Sequence, residues 1–124
     1  MENLKFFVCE HCGNIITFVK DQGVPVMCCG QEMTEITANT TDAAQEKHVP
    51  LVSAEGNEIR VSVGSVEHPM TAEHSIEWIC IRTKDGFQIK YLDPDKKPEA
   101  VFHAAEDEVE EVLAYCNLHG LWKA

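Results

Sequence analysis

Cys9-x-x-Cys12 and the adjacent pair Cys28-Cys29 bring four thiols into the first 29 residues. Four thiolates at these spacings make one complete tetrahedral metal set, open to zinc or iron. The adjacent Cys-Cys pair departs from the repeated Cys-x-x-Cys of zinc ribbons and favours iron. A second set of metal-ligating residue types is spread over the remaining chain. It comprises His48, His68, His74 and the run Cys116-Asn117-Leu118-His119-Gly120-Leu121-Trp122. Two ligand sets of different kind suggest one metal that holds or relays and another that reacts. His11 and His103 have no partner pattern and read as surface or satisfied polar residues. Cys80 alternates with apolar neighbours and reads as a buried core thiol.

The elements around these residues read mostly as β. Phe6-Phe7-Val8 leads into the first cysteine pair and Ile15-Ile16-Thr17-Phe18-Val19 leaves it, a strand, metal knuckle and strand. Cys28 and Cys29 cannot both aim at one metal from a regular strand, whose neighbouring side chains point to opposite faces. They belong in a turn, flanked by Pro25 and Gly30. Glu35-Ile36-Thr37 closes a module over residues 1–37, and Ala38 to Ala44 reads as a linker. Beyond it, Glu58 to Val63 alternates polar and apolar as a half-buried strand does. Ser75 to Arg82 alternates Ile76, Trp78 and Cys80 on one face with Ile79 and Ile81 on the other. Asp85-Gly86 marks a hairpin into Phe87–Tyr91, and Ala100-Val101-Phe102 is a further short strand. Short strands at regular intervals argue for a sandwich or barrel over residues 38–124. One segment is ambiguous. Val109, Val112, Leu113 and Cys116 have helical spacing behind an acidic stretch, and periodicity predicts a helix. The alternative is an acidic loop and then a strand from about Val112 to Cys116.

A module of 37 residues buries too little apolar surface to fold alone, so a metal bound only by the folded form must stabilise it. The net charge is −11, from 21 acidic and 10 basic residues. That balance gives no electrostatic footprint for nucleic acid or an anionic membrane. The apolar runs are too short to span a bilayer. The N-terminus carries an early acid and no long apolar core, so it does not read as a signal peptide. A cytoplasmic location is expected, where thiols stay reduced and close cysteine spacings mean metal rather than disulfides. Histidines at loop and strand ends could converge on one metal or lie scattered; patterning alone leaves both open.

In order, Cys9-x-x-Cys12…Cys28-Cys29 resembles the desulforedoxin module. Glu46-Lys47-His48-Val49-Pro50, His68-Pro69-Met70, His74 and the Cys116–Trp122 run resemble the catalytic domain of superoxide reductase. Together, nearly end to end, the chain resembles the desulfoferrodoxins, two-iron superoxide reductases. The resemblance implies a mainly β protein. It pairs a rubredoxin/desulforedoxin-like metal module over 1–37 with an immunoglobulin-like β-sandwich over 38–124, and it makes the segment before Cys116 a strand. It implies two irons per chain: Fe(Cys)4 at Cys9, Cys12, Cys28 and Cys29, and Fe(His)4(Cys) at His48, His68, His74, His119 and Cys116. It also implies a homodimer, and an outside electron donor such as a rubredoxin-like protein.

The implied reaction is one-electron reduction of superoxide to hydrogen peroxide. Neutral imidazoles suit ferrous iron, and an axial thiolate pushes electron density onto it. By the same resemblance Lys47 attracts superoxide, and the Glu46 carboxylate takes the open position in the oxidised resting state. Two other classes compete: a rubredoxin-type electron carrier with a passive histidine site, and a zinc-stapled binding module. Two irons per chain in a coloured protein would separate them.

Overall fold

The computed structural model describes residues 4–124. The reading of the N-terminus as no signal peptide rests partly on residues 1–3, which lie outside the described residues. The chain divides into two compact units, Met1–Thr37 and Ala38–Ala124.

In the first unit, β1 (Phe6–Val8), β2 (Ile15–Thr17), β3 (Met27–Cys28), β4 (Gln31–Glu32) and β5 (Thr34–Ile36) are all short. Three of them form an antiparallel sheet in the order β2-β1-β5, while β3 and β4 pair as a separate hairpin. Among the described residues of this unit the buried apolar ones are few: Phe6, Cys9 and Met33. So thin a core cannot offset the ordering entropy of the chain around it. The unit is therefore built for a cross-link at its cysteines.

The second unit opens with a single helical turn, α1 (Gln45–His48). Seven strands follow: β6 (Pro50–Glu55), β7 (Glu58–Val63), β8 (Ile76–Thr83), β9 (Gly86–Tyr91), β10 (Glu99–His103), β11 (Val109–Cys116) and β12 (Gly120–Lys123). They form a three-stranded sheet, β10-β7-β6, and a four-stranded sheet, β12-β11-β8-β9. The chain crosses between sheets from β7 to β8, from β9 to β10 and from β10 to β11, as in immunoglobulin-like sandwiches. Both sheets contribute to one core. Ile59, Val61, Val63, Ala100 and Phe102 meet Ile76, Ile79, Ile81, Val112, Ala114 and Cys116. Burying a side chain such as Ile79 or Phe102 contributes roughly 1.5–3 kcal/mol.

Two expectations change and one ambiguity is resolved. Residues 109–116 form a strand, as the resemblance implies and against the helical periodicity, preceded by a 3-10 turn at Glu106–Glu108. β11 is buried on both faces: Val112 and Ala114 point into the core between the sheets, while Glu111 and Leu113 are buried on the opposite face. A doubly covered strand loses its polar–apolar alternation, and helix-like spacing arises by coincidence. Ile76 does not share a face with Trp78. It joins the core beside Ile79 and Ile81, because the ladder slips at this point: Tyr115 pairs with Trp78, but Cys116 pairs with Ile76. The extra residue, Glu77, resets the alternation. Finally, the linker starts tethered. Asn39 N–H donates to the Leu121 carbonyl at 3.0 Å, and its side chain exchanges hydrogen bonds with the Lys123 backbone at 3.1 and 2.8 Å.

Buried charge on the four-stranded sheet is paired. Arg82 Nε lies 3.4 Å from Glu111 across the β8–β11 ladder, and Lys123 approaches the same carboxylate at 3.6 Å. No helix among the described residues is long and apolar enough to cross a membrane.

Candidate metal centres

The first centre is built from two knuckles. Cys9 follows directly on β1, and the chain turns back with Gly13 N–H donating to the Cys9 carbonyl at 2.8 Å. Gly13 has φ 85°, a left-handed conformation that suits glycine. The second knuckle begins on β3: Cys28 is that strand's last residue, and of the pair expected in a turn only Cys29 lies in the turn beyond. Cys29 itself adopts φ 54°, at a cost of about 1–2 kcal/mol for a residue with a Cβ. That twist is how two adjacent thiols aim at one point. All four sulfurs lie within 4.8 Å of one another. Cys12 Sγ is 3.6 Å from Cys28 Sγ, yet every cysteine is free. The Cys12 N–H at Cys9 holds that thiol down to about 6. The Cys12 and Cys9 side chains beside Cys29 push its thiol up to about 12. Four sulfurs so close can all ionise only around a cation, and the set fits a tetrathiolate metal.

The second centre collects residues distant in sequence. His48 ends α1, His68 and His74 lie between β7 and β8, Cys116 ends β11, and His119 sits in the β11–β12 turn. Their ligand atoms also fall within 4.8 Å of one another. His48 Nδ1 is 2.7 Å from the Ala44 carbonyl, and His68 Nδ1 is 2.7 Å from the Pro69 carbonyl. A carbonyl only accepts, so each Nδ1 carries the ring proton and each Nε2 presents a lone pair. Those two Nε2 atoms face each other at 3.2 Å. Two lone pairs at that distance repel unless a cation lies between them. His74 Nε2 is buried without a hydrogen-bond partner, as a ligand waiting for a metal would be. His119 presents the other ring nitrogen: its Nδ1 lies 3.1 Å from His48 Nε2 and 3.8 Å from Cys116 Sγ.

Electrostatics agree with a metal. Burial holds His48, His68 and His74 below the usual histidine range, His68 at about 4. The Lys47 charge pushes His48 and His74 the same way. These imidazoles are therefore neutral at pH 7, the form that binds metal. Burial pushes the Cys116 thiol up, against backbone N–H groups of Leu118 and His119 that favour the thiolate. A nearby cation supplies the charge that completes ionisation. Four neutral nitrogens and one thiolate, in a buried pocket, suit ferrous iron.

Glu46 and Lys47 are exposed on α1, one and two residues before His48. The turn that carries them is seated on the loop after β7. Val66 N–H and the Ser65 hydroxyl both donate to the Glu46 carbonyl, at 2.8 and 3.2 Å. Gly64 packs so closely that a Cβ there would lie 2.6 Å from the same oxygen. His11 and His103 are exposed and join neither centre. Cys80 is buried, and burial pushes its thiol up to about 12.

Several supporting residues carry no sequence signal of their own. The Ala44 and Pro69 carbonyls orient two ligands through the backbone, which no side-chain pattern reveals. Asn117 lies inside the Cys116–Trp122 run without an assigned role. Its side chain accepts from Ser75 N–H at 3.0 Å and donates to the Glu73 carbonyl at 2.9 Å, tying down both neighbours of His74.

The desulfoferrodoxin family model matches residues 40–124. A desulfoferrodoxin from Clostridium acetobutylicum is 49% identical over 122 residues, covering 98% of this chain and 96% of its own. Among solved structures, the superoxide reductase from Treponema pallidum is similar over 99% of both chains, with 40% identity and a TM-score of 0.82. A one-iron superoxide reductase from Giardia intestinalis covers 64% of this chain and 95% of its own, at 33% identity and a TM-score of 0.54. Shared sequence along nearly the whole length, and a similar fold in a chain whose two ligand sets each converge on a point of their own, lead to one conclusion: this chain belongs to the desulfoferrodoxin family.

Proposed function

We propose that the chain is a superoxide reductase, which consumes one superoxide, one electron and two protons for each hydrogen peroxide formed. The observation that carries the reading is the convergence of His48, His68, His74, His119 and Cys116 on one buried point. Those five side chains would hold a ferrous ion there, which would supply the single electron. The donor set supports this chemistry. Neutral imidazoles leave the reduced site with net positive charge, and the Cys116 thiolate raises its electron-donating power. Lys47 adds a cation beside the ligands and draws the anionic substrate in. Glu46, its neighbour on α1, would be the carboxylate available to the oxidised site between turnovers.

Residues 1–37 serve as the tetrathiolate iron module and residues 38–124 as the catalytic domain. The thiols Cys12 and Cys29 are exposed, which suits electron entry from a rubredoxin-like or other donor protein. The reading includes a homodimer in the cytoplasm. The four-stranded sheet supports it by leaving Phe87, Ile89 and Tyr91 on β9 exposed, an apolar row that a second copy could cover.

The test is pulse radiolysis of the reduced, two-iron protein. The expected outcome is a second-order reaction near diffusion control, with one hydrogen peroxide per superoxide and no dioxygen. Dioxygen evolution would make it a dismutase, and slow reaction would leave an electron carrier.

A further inference from the structure

We propose that Asn14 tunes the tetrathiolate centre by donating a side-chain N–H···S hydrogen bond to Cys28. Asn14 follows the first knuckle directly. Its backbone carbonyl accepts Cys9 N–H at 2.9 Å, so its Cα is clamped to the loop that carries two of the ligands. From there the amide Nδ2 lies 3.7 Å from Cys28 Sγ, on the second knuckle. A thiolate has no proton to donate, so the group facing it must be the NH2 and not the carbonyl oxygen of the side chain.

The two knuckles are thus supported by different means. Cys9 Sγ receives the backbone N–H of Cys12 at 3.5 Å, a donor that does not depend on the side chain at residue 12 unless proline is placed there. Cys28 Sγ receives its donor from a side chain, which one substitution can remove. A reduced iron tetrathiolate carries one more negative charge than the oxidised form. An N–H aimed at a sulfur therefore stabilises the reduced form more and raises the reduction potential. Asn14 binds no metal; it is a positioning residue that acts through Cys28, as outer-shell donors do at other metal sites. Because Asn14 is exposed, water screens part of the effect but leaves its sign.

This inference rests on iron occupying the cysteine set. The experiment is a spectroelectrochemical titration of both centres in the full-length, iron-loaded chain, as wild type, Asn14→Ala and Asn14→Asp. Asn14→Asp keeps the shape, removes the donor and adds a negative charge. The expected result is a lower centre-one potential in Asn14→Ala and a lower one still in Asn14→Asp. The sulfur-to-iron absorption should move to lower energy in the same order, because losing the donor raises the sulfur orbital from which the electron leaves, while the histidine-centre potential stays put. An unchanged centre-one potential with iron retained would overturn the inference and leave Asn14 a turn residue. So would loss of centre-one iron from both variants, which would make its role structural. A wild-type chain with no iron at the cysteines would instead overturn the underlying reading of that centre.

Discussion

The indole of Trp122 stacks on the imidazole of His48, ring centroids 4.8 Å apart and planes inclined by 27°. The same indole donates Nε1–H to the His119 carbonyl at 3.1 Å. One buried side chain on β12 therefore braces two ligands that lie 71 residues apart. Trp122→Phe keeps a stacking ring but loses the donor. Iron affinity at the histidine centre should fall about tenfold, the lower end of the range for outer-shell changes. Iron retention against a chelator series measures it; unchanged retention would mean the indole hydrogen bond does not hold His119.

The two ligand sets lie in separate units, Met1–Thr37 and Ala38–Ala124. Cys12→Ser should empty the cysteine centre and loosen the first unit, which has little core of its own. The histidine centre should keep its iron and its rate with superoxide. Metal analysis and pulse radiolysis on the same sample decide it. Loss of the fast reaction while the second iron stays bound would make the cysteine centre obligatory.

Lys47 tests how an acidic protein catches an anion. The net charge of −11 repels superoxide at long range, but physiological salt screens that field over about 8 Å. A cation beside the ligands acts inside that distance. Local focusing changes on-rates by roughly 10- to 10³-fold. The reduced site is itself positive, so Lys47→Ile should cost only about tenfold, at the low end of that range. The remaining rate should fall less with added salt, or rise. Identical rates and salt slopes in both proteins would reduce Lys47 to a solvated surface charge.

Metal removal should expose a pH dependence. His68 has a folded pKa of about 4 against an ordinary value of 6.5, chiefly because burial disfavours its charge. Between these values the unfolded chain binds the proton and the folded chain does not. Stability of the apo protein is therefore full above 6.5 and declines as pH falls toward 4. His48 and His74, also lowered, add to the same slope. In the iron-loaded form a metal occupies the nitrogens and should blunt the effect. Thermal melts of both forms at pH 7 and pH 5 measure it. An apo midpoint that does not move would show that these rings already titrate freely.

The cysteine set was legible in the chain because its spacing is local: two residues between Cys9 and Cys12, none between Cys28 and Cys29. The histidine set was not legible from patterning. Its members come from α1, the β7–β8 loop and the end of β11, and only their ordered likeness to a family drew them together. Strand β7 showed plainly, since Ile59, Val61 and Val63 face the core while Glu58 and Arg60 face out. β11 did not, because a strand covered on both faces and a helix stripe share the same apolar density. Carbonyls that set histidine tautomers leave no mark in a sequence at all.

The slipped pairing at Glu77 has a wider consequence. A strand with one uninterrupted alternation would commit both of its ends to a single reading frame, because moving by one residue turns every side chain over. The extra residue splits β8 into two frames. The stretch from Trp78 onward stays locked to the hydrophobic interior through Ile79 and Ile81. The stretch before it, from Ile76 back through Ser75 to His74, is phased separately against Cys116 and Asn117. Ligand geometry at the tip can therefore change, over mutation and selection, without asking the sandwich beneath it to repack.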